Sequence, residues 1–150
     1  MFYVDLTYSI VKAVLDIKPA GASYIDWDAH ADIHELPIDD LLVGASGCSF
    51  TYEDASTIDV SFAVGVATKN DDNLFNLRTT ISNYFEAFRP ETKVPLYDRA
   101  LIQAGAPIEP YTWMVITTPI TLLPINRAES RNVQFLNVGG LVNPAALRAS

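Results

Sequence analysis

Apolar residues recur at spacings of three and four through residues 3–17, placing Tyr3, Leu6, Ile10, Ala13, Val14 and Ile17 along one stripe of a helix. Val11 and Leu15 widen that stripe, as packing on a sheet requires. Asp5 in the first turn and Lys18 beyond the end suit the helix dipole, and Pro19 with Gly21 stops the helix. The period then changes. Residues 22–27 are short and aromatic, and polar and apolar side chains alternate on to Ile33 before Pro37, the pattern of a strand. Residues 41–52 read as a second strand, in which Gly44 and Gly47 allow a bulge or bend. The clearest strand covers residues 58–68. There Ile58, Val60, Phe62, Val64 and Val66 share one face, while Asp59, Ser61, Ala63, Gly65 and Ala67 share the other.

Residues 69–72 make a turn and supply an N-cap, after which Leu74, Leu77, Ile81, Tyr84, Phe85 and Phe88 form a helical stripe ended by Arg89 and Pro90. Tyr84, Phe85 and Phe88 are assigned to the core. Pro90, Pro95, Pro107, Pro110 and Gly105 then break the chain, so residues 91–110 are expected to form a proline-rich loop region with a short helix over 97–104. Residues 111–118 and 120–123 read as strand material interrupted by Pro119. Residues 132–142 read as a strand weakened by Gly139 and Gly140, and residues 127–131 make the turn before it. On its strand Trp113 is either core or an interface anchor, and core is preferred. The order of elements predicts one α+β domain over 1–150, with a mixed or antiparallel β-sheet and two main helices packed on one face. Residues 143–150 are expected to be a flexible C-terminal tail, or a segment that orders only against a neighbour.

Composition narrows the function. A chain of 150 residues, 49% hydrophobic and 19% charged, has the makings of one globular core. Its formal charge of −8 removes any general electrostatic basis for binding nucleic acid. The charge is uneven: residues 1–75 carry 13 acids and 3 bases, residues 76–150 carry 5 acids and 7 bases. Such polarity fits an acidic solvated face, and it also fits a subunit whose unlike surfaces meet head to tail. Cys48 is the lone cysteine and has no base near it in sequence, so no intrachain disulfide is expected and a reducing compartment fits best. The N-terminus has no basic region before an apolar run, and no stretch approaches about 18 uninterrupted apolar residues, so neither secretion nor a membrane span is expected.

One constellation resembles a site. In an extended chain Asp26, Asp28, His30, Asp32 and His34 point the same way, and imidazole with carboxylate ligands suits a first-row metal ion. Neighbouring ligands on one straight strand diverge, however, and a tetrahedral site collects ligands from several elements. An amphipathic edge strand with its polar side in water is the simpler reading. A small metal-dependent enzyme using Asp28, His30 and His34 is the alternative from another functional class, and a polar contact with a partner subunit through Asp26, Asp28 and Asp32 is a third. Asp39–Asp40 and Glu53–Asp54 are adjacent carboxylates, which seldom oppose one another across a substrate, and they are read as solvated turn charges. No phosphate-loop, dinucleotide, nucleophile-elbow or Cys-x-x-Cys pattern occurs. No catalytic residue, cofactor or metal is therefore assigned.

The arrangement of pieces resembles the tail-terminator (tail-completion) proteins of long-tailed bacteriophages, of the lambda-like type. The likeness runs over residues 3–90: the N-terminal amphipathic helix, the acidic aromatic stretch Tyr24-Ile25-Asp26-Trp27-Asp28, the acidic segment His34-Glu35-Leu36-Pro37, the strand pair 41–52 and 58–68, and the helix that follows. Residues 91–150 are longer and richer in proline than that pattern. The resemblance implies a non-enzymatic virion protein made in the host cytoplasm. Its copies form a homohexameric ring that caps the tail tube protein and joins the tail to head-tail connector proteins at the neck. Another neck, tail or baseplate subunit is the near alternative. Six such copies would carry six times −8, and an acidic lumen lets DNA pass without specific binding. Asp39, Asp40, Glu53, Asp54, Asp71 and Asp72 are the channel-facing candidates. Arg99, Arg127 and Arg131 are candidates for the subunit interface, and at least one is expected to pair with an acid of the adjacent subunit.

Overall fold

The alternating run becomes the middle of the sheet. In the computed structural model, which describes residues 2–29, 41–54, 57–86, 93–128 and 131–143, β3 (Thr57–Thr68) lies between β2 (Leu42–Asp54) and β7 (Arg131–Val142). The strand order is β1-β2-β3-β7-β5-β4, with β1 at Ser23–Tyr24, β4 at Lys93–Leu96 and β5 at Thr112–Leu122, while β6 (Asn126–Ala128) pairs with the start of β7. β1 runs parallel to β2 and every other pair is antiparallel, so the sheet is mixed and the fold is α+β.

On one face the even-numbered residues of β3 are buried, and α1 (Phe2–Ile17) and α2 (Asp71–Tyr84) cover them. Leu6, Ile10, Ala13 and Val14 of α1 and Leu74, Leu77 and Ile81 of α2 are the buried stripes. Asn70 caps α2, its side chain accepting the Asn73 N–H at 2.8 Å. The helix ends earlier than its apolar stripe: Phe85 is the C-cap and turns into the core against Phe62, ring centroids 5.5 Å apart. Tyr84 is half-buried, and Phe88 lies outside the described residues.

Residues 22–29 depart from the expected strand, and residues 30–33 lie outside the described residues. Only two residues of β1 pair, and Trp27–Ala29 form a 3-10 turn, begun by the Asp28 N–H donating to Asp26 Oδ1 at 3.1 Å. This turn carries Trp27 onto the sheet face away from the helices, where it is buried beside Phe135 and donates from Nε1 to the Gly65 carbonyl at 3.1 Å. Gly44 and Gly65 are cross-strand partners that leave the space for it. A Cβ on Gly65 would fall 2.5 Å from Trp27 Nε1, and one on Gly44 would fall 1.8 Å from the Ile25 carbonyl oxygen.

The proline-rich region holds more order than expected. β4 is an edge strand, where Pro95 forgoes no ladder bond on the open side, and α3 (Arg99–Gln103) is the short helix. β5 runs through Pro119, but its pairing with β7 slips between Thr118 and Thr121, where proline offers no N–H. Met114 and Ile116 of β5 point into the core, so Trp113 and Val115 point out, 48% and 40% exposed. Trp113 is therefore not core. β2 has its own irregularity: Gly47 adopts φ 62° between Ser46 and Ser49, where the register with β3 shifts.

Gly65→Ala should push Trp27 off its shelf at a cost of about 1–3 kcal/mol, the usual penalty for overpacking. In a Trp113→Phe background, urea melts and a red shift of the remaining tryptophan emission check this.

Candidate functional site

α1 is apolar on more sides than the sheet covers. Its inward side touches both β2 and β4, and there two polar residues are buried, each with a defined task. Ser9 Oγ accepts the Tyr97 N–H at 2.8 Å, and Asp5 Oδ1 accepts the Arg99 N–H at 3.0 Å. Asp98 caps α3 by accepting the Leu101 N–H at 3.0 Å. The segment that joins β4 to α3 is thus tied to α1, and Arg99 is set beside the helix. Sequence reasoning gave Asp5 a dipole role only; its partner is 94 residues away and leaves no local signal.

The outward side of α1 is a ridge formed by Tyr3, Thr7 and Val11 at i, i+4 and i+8, flanked by a groove on each side. The groove toward β1 and β2, about 320 Å³, has walls of Tyr3, Ile10, Val11 and Ala45, with Asp26 and Asp28 lining it as well. The other, about 390 Å³, runs along Tyr3, Val4, Tyr8 and Val11 and reaches Arg99. Tyr3 and Leu15 are 49% and 43% exposed.

The first groove is internally braced. Asp28 Oδ1 accepts the Ser46 hydroxyl at 2.9 Å, and the Tyr24 hydroxyl accepts the Ala45 N–H at 3.3 Å. Burial pushes the Tyr24 hydroxyl above its ordinary pKa and Asp26 and Asp28 push the same way, while the Ala45 hydrogen bond opposes them. Burial also pushes the Cys48 thiol up. The Thr7 hydroxyl, buried and without a hydrogen-bond partner of full geometry, sits close enough to offset part of that rise. Cys48 is a half-buried thiol, and among the described residues no cation stands by it to hold a thiolate, which is the setting of an inert cysteine.

Three of the residues expected at a subunit contact, Asp26, Asp28 and Arg99, thus converge on the flanks of one helix. The others do not join them. Arg127 donates to Asp71 Oδ1 at 2.8 Å and to Asn132 Oδ1 at 3.1 Å, an exposed pair within the chain at the start of α2. Exposed pairs of this kind contribute little to stability. Arg131 opens β7, and its side chain lies outside the described residues. Glu53 and Asp54 end β2, whereas Asp71 and Asp72 begin α2 beyond the other end of β3. The length of β3 separates the two acidic pairs by about 36 Å, eleven steps of about 3.3 Å each. Asp32, Asp39, Asp40, His30 and His34 lie outside the described residues. Among the described residues no three His, Cys, Asp or Glu side chains gather to hold a metal ion, and no helix is long and apolar enough to cross a membrane.

No family model and no curated protein matches the chain. A solved structure known by a sequence identifier alone is similar to it with a TM-score of 0.51, covering 93% of this chain and 92% of that one. At 10% identity the similarity extends to the fold alone.

Two outcomes follow from this geometry. Asp5→Ala or Ser9→Ala should each cost about 1–3 kcal/mol by leaving a part-buried N–H without its acceptor. Hydrogen exchange at the Tyr97 and Arg99 amides should rise more than at β3 amides. Cys48 should alkylate more slowly than a free thiol at pH 8, because a raised pKa leaves less thiolate; the rate should climb as pH passes the ordinary thiol range, which a pH series with iodoacetamide measures.

Proposed function

We propose that this protein is a structural subunit of a phage tail, of the tail-terminator type and without catalytic work of its own. Six copies close a ring on the tail tube, stop its growth and meet the head-tail connector at the neck, with DNA passing through the lumen without specific binding. The observation that carries this reading is the pair of apolar surfaces on unlike faces of one domain. The α1 ridge stands on the helical side, and Trp113 with Val115 stands on the far side of the sheet. Large exposed apolar surfaces mark contacts between proteins, and a ring needs two different surfaces on each subunit so that one copy follows another until rotation closes. The acidic first half and mildly basic second half of the chain support the same reading, as does the arrangement of elements over residues 3–90.

Native mass spectrometry and sedimentation of the full chain, alone and with polymerising tail tube protein, test it. The expected species is a closed ring of six, and tubes should stop lengthening when it is added. A strict monomer at every concentration, beside tubes that grow to unchanged length, overturns the proposal.

A further inference from the structure

Within the ring proposed above, on which this step rests, we infer that the α1 ridge of one copy seats on the outer sheet face of the next, through a matched line of charges and apolar groups. Asp59, Leu141, Val115 and Lys93 are successive cross-strand partners in β3, β7, β5 and β4. Side chains directly opposite in a sheet share a face, so these four make one row on the side away from the helices. Asp59 and Lys93 at its ends are exposed, Val115 is 40% exposed and Leu141 half-buried. Three strand spacings of about 4.8 Å put the two charges roughly 14 Å apart.

The helical side carries the same sequence of groups in reverse sign. Arg99 lines one groove and Asp26 with Asp28 lines the other, while Tyr3, Thr7 and Val11 stand between. A helix with its side chains is about 10–12 Å wide, so the charges on its two flanks span a distance comparable with the row. Laid together, Arg99 meets Asp59 of the next copy, Asp26 and Asp28 meet its Lys93, and the ridge covers Leu141 and Val115. None of these five charged residues is in an ion pair with a described residue of its own chain.

The alternative of two ridges packing on each other does less. An antiparallel two-fold pairing sets acid against acid, and a parallel one matches the charges but leaves Trp113 and Val115 in water and closes at two copies. Seating ridge on row brings these two surfaces together in every copy and leaves neither unpartnered once the ring is closed.

Charge reversal with compensation tests the match. Arg99→Glu and Asp59→Arg should each raise the concentration for half-assembly about tenfold at about 0.05 M salt, an effect that shrinks at about 1 M salt. The Arg99→Glu/Asp59→Arg double variant should return to within about threefold of the parent, because the reversed pair is again opposite in sign. Arg99 is tied to α1 through its backbone, so its side chain can change without loosening α3, and circular dichroism melts verify the fold. Asp28→Lys with Lys93→Glu examines the other flank in the same way. If the parent forms rings and the single reversals assemble unchanged, or the double variants do not recover, the surface assignment is wrong and the ring stands. If Val11→Cys alone oxidises to a linked dimer, the ridge pairs with itself and the assignment fails. If the parent never assembles, even on tail tubes, the ring and this contact fall together.

Discussion

The molecule is arranged around the alternation of β3. A strand paired on both sides has no freedom to rotate its faces, so its even-numbered residues commit the helices to one side and its odd-numbered residues leave the other side bare. The helical side becomes the main core. On the bare side the small residues Ala63, Gly65 and Ala67 allow close approach, and one end of it is closed by Trp27 against Phe135. Further along the same side Asp59 and its neighbours on β7 and β5 remain open. The open sheet face proposed for assembly is therefore what remains after β3 has filled its own needs.

α1 is the counterpart. A helix that is apolar nearly all round belongs between two layers, and the fold supplies one. Two of its polar residues are turned inward, where Asp5 and Ser9 satisfy backbone N–H groups of the segment after β4, while Lys12 and Asp16 pair with each other on the surface. That inward turn keeps two acceptors off the outer ridge and at the same time holds Arg99 beside it. Local helix chemistry and long-range clasp thus build the same surface.

The regular periods were legible in the sequence because they are local. The two-residue period of β3 and the apolar stripes of α1 and α2 fall where their spacing puts them. What was hidden depends on partners distant in the chain. Trp27 looked like part of an edge strand, because nothing in residues 22–33 says that Gly44 and Gly65 will stand side by side. β4 is four residues long and contains Pro95, too little pattern to read. Trp113 sits in the run Thr112-Trp113-Met114-Val115-Ile116, apolar on both faces, so composition could not say which face is inward. Val11 and Leu15 were visible as a widened stripe, yet width alone does not tell whether sheet, partner or water receives it. Around the proposed contact surface, charge singles out Asp26, Asp28 and Arg99 in the sequence, while Tyr3 and Val11 between them read only as parts of a helical stripe that packs on a sheet.

The clasp between the first helix and the segment after β4 also shapes how the chain is made. Tyr97 and Arg99 find Ser9 and Asp5 across 88 and 94 residues. At about 5–20 residues per second of synthesis, the helix waits roughly 5–20 s for the segment that will clasp it. During that interval α1 has β2 to lean on but not the segment after β4, an opening for chaperones and for chance encounters between nascent chains. Folding that must join segments so far apart in the chain is intrinsically slow, and the exposed ridge of α1 has first to survive its own infancy.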